Sequence, residues 1–151
     1  MADSAAGPAS GADPALRGGC LCGAIRFALT APPVDAGYCH CTRCQRRTGT
    51  ASSANASPVP GTVVLEAGAD MLVSWRPPNG QEKCFCRHCG AHVCSRHPDT
   101  GEWGSIRMSA FDVHPGVPFS YRQFVADAAE WEPIPSDGLT RYPGSRFSAR
   151  D

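Results

Sequence analysis

The chain has 151 residues, 42% of them hydrophobic, and its 14 basic residues balance its 14 acidic ones. That length supplies one hydrophobic core and is too short for two comfortable domains. The even charge gives no cause to expect a polyanionic partner or an anionic membrane surface, and it counts mildly against nucleic acid.

In chain order, residues 1 to 16 are Ala, Gly, Pro, Ser and Asp with almost no large apolar group, too little to offset the entropy of ordering them. They are expected to form a disordered leader. This stretch has no basic region followed by an apolar one, and no later run reaches the roughly 20 apolar residues of a membrane helix, so a cytoplasmic protein is expected. From residue 17 the texture changes to short strand-like pieces: "CLCGAIRFAL", "TVVLEAG", "MLVSWRP", "KCFCRHCGAHVCSR", "WGSIRM" and "SYRQFV", punctuated by 16 Gly and 14 Pro. Helical spacing is confined to Thr42–Thr48 and a turn near Asp127–Trp131. The pattern predicts a mainly β protein with several small sheets, a single zinc-binding domain over residues 17–143, and a loose tail over 144–151 with Phe147 as its one large apolar anchor.

Nine cysteines is a high and odd number, so complete internal disulfide pairing is impossible. Cys20 with Cys22, Cys39 with Cys41 and Cys84 with Cys86 form CxC pairs, while Cys41 with Cys44 and Cys86 with Cys89 form CxxC pairs. In an extended strand, positions i and i+2 lie about 6.6 Å apart and share a face, which strains a disulfide and suits a metal. "CFCRHCG" reads as a zinc knuckle, with Gly90 in a turn position of positive φ. A knuckle supplies two ligands and needs a second pair from a distant position. Cys20 and Cys22, on a predicted strand followed by Gly23, fit that role. Cys20, Cys22, Cys86 and Cys89 are thus read as a closed, structural four-thiolate zinc site, although spacing alone leaves open which pairs combine.

Cys39 and Cys41 run along an extended piece and Cys44 follows in the first turn of the predicted helix, so three sulfurs can converge on one ion with a fourth position open. Three protein ligands plus an exchangeable position is the catalytic pattern. Zinc with three thiolates carries a formal charge of −1, which makes it a weak generator of hydroxide and a fitting holder of a soft exogenous thiolate. Arg43, Arg46 and Arg47 are placed to offset that charge, to pair with a substrate carboxylate, or to form a solvated face. The competing reading closes this site with Cys84, Cys94, His40 or His92 as a second structural zinc.

The segments "GGCLCGAIRF", "CHCTRCQRRTG", "CFCRHCGAHV" and "FVADAAEWEPIPSDGLTRYP", in that order, resemble the family of glutathione-dependent formaldehyde-activating enzymes, which also includes centromere protein V. The resemblance runs from about Gly18 to Pro143. It implies an Mss4-like fold of coiled β-sheets stapled by zinc, with the structural ion on Cys20, Cys22, Cys86 and Cys89. It implies a catalytic zinc on Cys39, Cys41 and Cys44, and glutathione as the thiol partner. The implied activity is carbon-sulfur bond formation between formaldehyde and glutathione, giving S-(hydroxymethyl)glutathione. Gln45 departs from the pattern, standing where a basic residue often follows the third cysteine, and Cys84 and Cys94 flank the knuckle. A zinc module that binds a protein or nucleic acid without catalysis is the rival class.

For the remaining residues the expectations are structural. Cys84 and Cys94 read as small core hydrophobes, and His40, between two ligands, as pointing to the opposite strand face to pack or hydrogen bond. His88 reads as exposed, and His97 and His114, each near a proline, as turn residues. Trp75, Trp103 and Trp131 read as core or pocket walls.

Overall fold

The computed structural model describes residues 16–148. The expected leader lies outside this range apart from Leu16, which opens the first strand. Among the described residues, eleven strands and one α-helix bear out the mainly β, Mss4-like expectation. In chain order they are β1 (Leu16–Gly19), β2 (Arg26–Leu29), β3 (Asp35–Cys39), α1 (Thr42–Thr48), β4 (Ser53–Ser57), β5 (Val63–Ala67), β6 (Leu72–Trp75), β7 (Glu82–Cys86), β8 (His92–Arg96), β9 (Trp103–Arg107), β10 (Phe119–Gln123) and β11 (Thr140–Arg141). They gather in two sheets: a three-stranded one in the order β1-β2-β5, and an eight-stranded one in the order β11-β10-β3-β4-β9-β8-β7-β6.

The register of the large sheet sorts its side chains into two rows, because residues directly opposite on paired strands share a face and alternate residues return to it. One row reads Ala56, Ile106, Cys94 and Cys84, each opposite the next. All four are at most 1% exposed and belong to the hydrophobic core. The other face carries two polar pairings that run into one another: Cys39 opposite Ser53, and Asn55 opposite Arg107. It continues through Ser105, Ser95 and Lys83. A strand with one apolar and one polar face needs a cover on the first, and the three-stranded sheet provides it. Phe27 of β2 is fully buried and meets Trp103 and Phe111 edge-on, with ring centroids 5.4 and 5.7 Å away. Burying a side chain of that size stabilises the fold by about 1.5–3 kcal/mol.

Four sequence expectations differ in detail. Cys20 and Cys22 lie in the turn between β1 and β2 rather than on a strand: the Gly23 N–H donates to the Cys20 carbonyl at 3.2 Å and closes that turn. The helical turn expected over Asp127–Trp131 forms earlier, as a 3-10 helix at Val125–Asp127. Trp103 packs in the core, whereas Trp131 is 68% exposed because the chain around it forms no strand to cover it. At residues 144–148 the anchor is Arg146 and not Phe147. The Arg146 guanidinium donates to Asp35 Oδ2 at 2.6 Å and lies 3.8 Å from the Tyr121 ring centroid, while Phe147 is exposed.

Candidate metal centres

Two groups of cysteines converge. The sulfurs of Cys20, Cys22, Cys86 and Cys89 all lie within 4.8 Å of one another, and so do those of Cys39, Cys41 and Cys44. The donor sets fit a soft or borderline divalent ion: thiolates only, with four in one group and three in the other.

The four-sulfur group sits on the core side of the large sheet. Cys86 ends β7, two residues beyond Cys84 and on the same face, and the turn after it returns Cys89. Gly90 takes φ +74 and donates its N–H to the Cys86 carbonyl at 2.8 Å, a left-handed position that a residue with a Cβ adopts at a cost. Across the gap, Cys20 and Cys22 place their sulfurs 3.5 Å apart, and Cys22 reaches Cys86 at 3.8 Å. Backbone N–H groups point at the sulfurs. Ile25 donates to Cys20 Sγ at 3.3 Å, and the Ala91 amide at Cys89 brings that thiol down to about 6. Such donors favour thiolates and thereby metal binding.

The three-sulfur group sits on the polar face. Cys39 is the last residue of β3, and Cys41 caps α1, its sulfur accepting the Cys44 N–H at 3.3 Å. Cys44 is buried in the first turn of the helix. The thiols of Cys39 and Cys41 donate to Cys44 and hold it as the thiolate, with the Ser53 hydroxyl and the Arg107 charge adding to this against the opposing cost of burial. Hydrogen bonding with Cys41 and Cys44, followed by burial, pushes Cys39 far up. One thiolate is therefore readily formed here and three are not, unless a cation joins them. Among the described residues no fourth His, Cys, Asp or Glu joins the group.

Around this centre stand several cations. Arg107 is 5% exposed, Lys83 is half-buried with Nζ 3.4 Å from Ser95 Oγ, and Arg47 projects from α1. Burial, then the Arg47 and Arg107 charges, bring His92 down to about 4. A cavity of about 770 Å³ opens where β4 and β8 begin and β9 ends, and Arg47, Ser53, His92, Arg107, Leu21 and Phe111 are among the residues that line it. A volume in this range accommodates a small-molecule ligand.

The family profile described as "Glutathione-dependent formaldehyde-activating enzyme" matches residues 15–127, three quarters of the chain, including both cysteine groups. The chain belongs to this family. A crystal structure of a Rhodobacter sphaeroides protein shares the fold with this formaldehyde-activating-enzyme family member at a TM-score of 0.52. It is 24% identical and covers 70% of this chain and 100% of its own. No curated protein matches significantly.

The fold of this family member brings together every cysteine that spacing had grouped. It keeps Cys84 and Cys94 apart from both groups, opposite one another in the apolar row. His40 is 3% exposed, with Nε2 3.1 Å from Arg122 Nη1, and burial followed by the Arg122 charge lowers its pKa. His88 is exposed; His97 meets Gln81, and His114 accepts the Gly116 N–H within its turn. The arginine triplet divides. Arg43 is tied to Asn79 at 2.7 Å and lies over Trp75, Arg46 is exposed, and Arg47 lines the cavity. Sequence reasoning passed over Ser53, Asn55, Lys83 and Arg107. The available signal for Arg107 was a charged residue directly after the apolar Ile106 in "WGSIRM".

Among the described residues no helix is long and apolar enough to cross a membrane.

Proposed function

We propose that the protein is a zinc-dependent carbon-sulfur lyase that joins a glutathione-type thiol to a small aldehyde, with formaldehyde as the reference substrate and S-(hydroxymethyl)glutathione as the product. The observation that carries this reading is the unequal pair of cysteine groups, four converging sulfurs in one and three in the other. Cys20, Cys22, Cys86 and Cys89 would hold a structural zinc, and Cys39, Cys41 and Cys44 a catalytic one. When bound there, zinc supplies the acidity that makes an incoming thiol a thiolate at neutral pH. In the net reaction the thiol sulfur forms a bond to the carbonyl carbon, the carbonyl π pair moves to oxygen, and that oxygen takes the proton the thiol gave up. The chain's own residues supply the seat. Cys41 is positioned by the Cys44 N–H, Cys44 by the Ser53 hydroxyl, and the cations of Arg47, Lys83 and Arg107 offset the negative charge of the thiolates.

Zinc K-edge absorption on anaerobically purified protein, with glutathione added, tests the reading. Two zincs are expected, one of which goes from three sulfur neighbours to four, together with faster addition of formaldehyde to glutathione. Two zincs already closed by the chain, with no change in rate, would make the protein a non-enzymatic zinc module.

A further inference from the structure

Arg107 ends β9 with its guanidinium held in one orientation. Nη1 donates to Asn55 Oδ1, and Asn55 is itself fixed by Nδ2 donating to Ser53 Oγ at 3.0 Å. Nε and Nη2 of Arg107 are buried and have no partner among the described residues. These two atoms form one edge of the guanidinium, whose parallel N–H bonds match the two oxygens of a carboxylate. Arg47 Nη1 is likewise buried and unpartnered, and both arginines line the same cavity. Of the four buried side-chain polar atoms without a partner among the described residues, three belong to these two arginines, both of which line the one cavity.

Elsewhere in the molecule such arginines are closed by an acid: Arg122 by Asp137 at 2.7 Å, Arg146 by Asp35 at 2.6 Å and Arg96 by Glu82 at 2.8 Å. Among the described residues no carboxylate forms an ion pair with Arg47 or Arg107. Asp112, the acid that lines the cavity, is taken by Arg26. Two guanidinium groups gathered in a half-buried wall repel one another until an anion joins them. Ser53 ties this wall to the chemistry, since its hydroxyl accepts from Asn55 and also helps to lower the pKa of Cys44.

We propose that Arg107, through its Nε and Nη2 edge, and Arg47 form a carboxylate-binding site, and that this site selects thiols carrying a carboxylate for the three-cysteine centre. The selection rests on the reading of that centre as a thiol seat; the carboxylate site itself does not.

The test is calorimetry on the zinc-loaded full chain with N-acetylcysteine, N-acetylcysteine amide and S-methylglutathione, repeated on Arg47→Gln and Arg107→Gln. N-acetylcysteine is expected to bind about tenfold or more tighter than its amide in the natural protein. Both variants should bring that ratio near one. Should Arg107→Gln fail to fold, Arg47→Gln decides. Equal affinity for acid and amide in the natural protein, or a preference that survives in the variants, overturns the proposal. S-methylglutathione separates the two readings, because it carries carboxylates and no thiol. If neither thiol reaches zinc but S-methylglutathione binds in an Arg47-dependent way, the carboxylate site stands and the thiol seat falls. Inorganic phosphate displacing S-methylglutathione better than acetate does would assign the wall to free phosphate and overturn the carboxylate assignment.

Discussion

At the residue scale the two cysteine groups make opposite predictions for the same substitution. Cys89 belongs to a cluster that joins the β1–β2 turn to the end of β7, so Cys89→Ser is expected to lower the Tm by more than roughly 10 °C. Cys41 only caps a seven-residue helix, so Cys41→Ser should lower it by less than about 5 °C while reducing aldehyde addition to the uncatalysed rate. Thermal melts beside a rate assay decide between them. His92 gives a pH signature. An unfolded His takes its proton near 6.5, whereas burial and the Arg47 and Arg107 charges delay this to about 4 in the fold. Its contribution to stability is therefore complete above pH 6.5 and is lost as pH falls from there toward 4. The ring resonances of His92 should titrate near 4, and His92→Gln should flatten the urea-midpoint slope between pH 6.5 and 5. A midpoint near 6.5 would mean that the ring is neither buried nor faced by the two arginines. The cysteines were legible in the sequence because the members of each pair lie two or three residues apart; Arg107 was not, because its role depends on Asn55, 52 residues away.

At the element scale β3 and β4 decide the site; only the Cys39 end of β3 had been read as extended, and β4 had not been read as a strand. β4 is "SANAS", small and polar, without the β-branched residues that mark a strand. It forms because β3 and β9 pair with it on both sides, and its small side chains leave room for the helix and for Arg107. In β3, Gly37 lies beneath Tyr121 of β10, and a Cβ there would meet the ring at 2.3 Å. Gly37→Ala is expected to cost about 1–3 kcal/mol and to loosen β10 from the sheet. Urea unfolding and amide exchange along Phe119–Gln123 check this; an unchanged midpoint would mean the ring swings aside freely. Helix α1, by contrast, was legible to its boundaries, since local spacing and a cap at Cys41 suffice for seven residues.

At the scale of the whole molecule the four-cysteine group joins the two sheets, with Cys20 and Cys22 from the small one and Cys86 and Cys89 from the large one. If this group holds the proposed zinc, removing it with a strong chelator should part the sheets at their common core. Trp103 reports this, because it packs on Phe27 between them while Trp75 and Trp131 are already exposed. A red shift of tryptophan emission with loss of the cooperative melt is expected, reversed by adding zinc under reducing conditions. Unchanged emission after complete metal removal would show that the Phe27, Trp103 and Phe111 cluster holds the sheets by itself.

The amino-acid sequence alone determined the class of the fold and the all-thiol donor chemistry of the two cysteine groups. Alternating short strands and paired cysteines are local patterns, written within a few residues of one another. What only the tertiary structure decided is which cysteine pairs meet, that Cys20 and Cys22 sit in a turn, and that Arg47, Ser53, Asn55 and Arg107 converge. Those relations follow from strand order and register, which place residues 64 positions apart in contact, as at Cys22 and Cys86, and have no counterpart in local spacing.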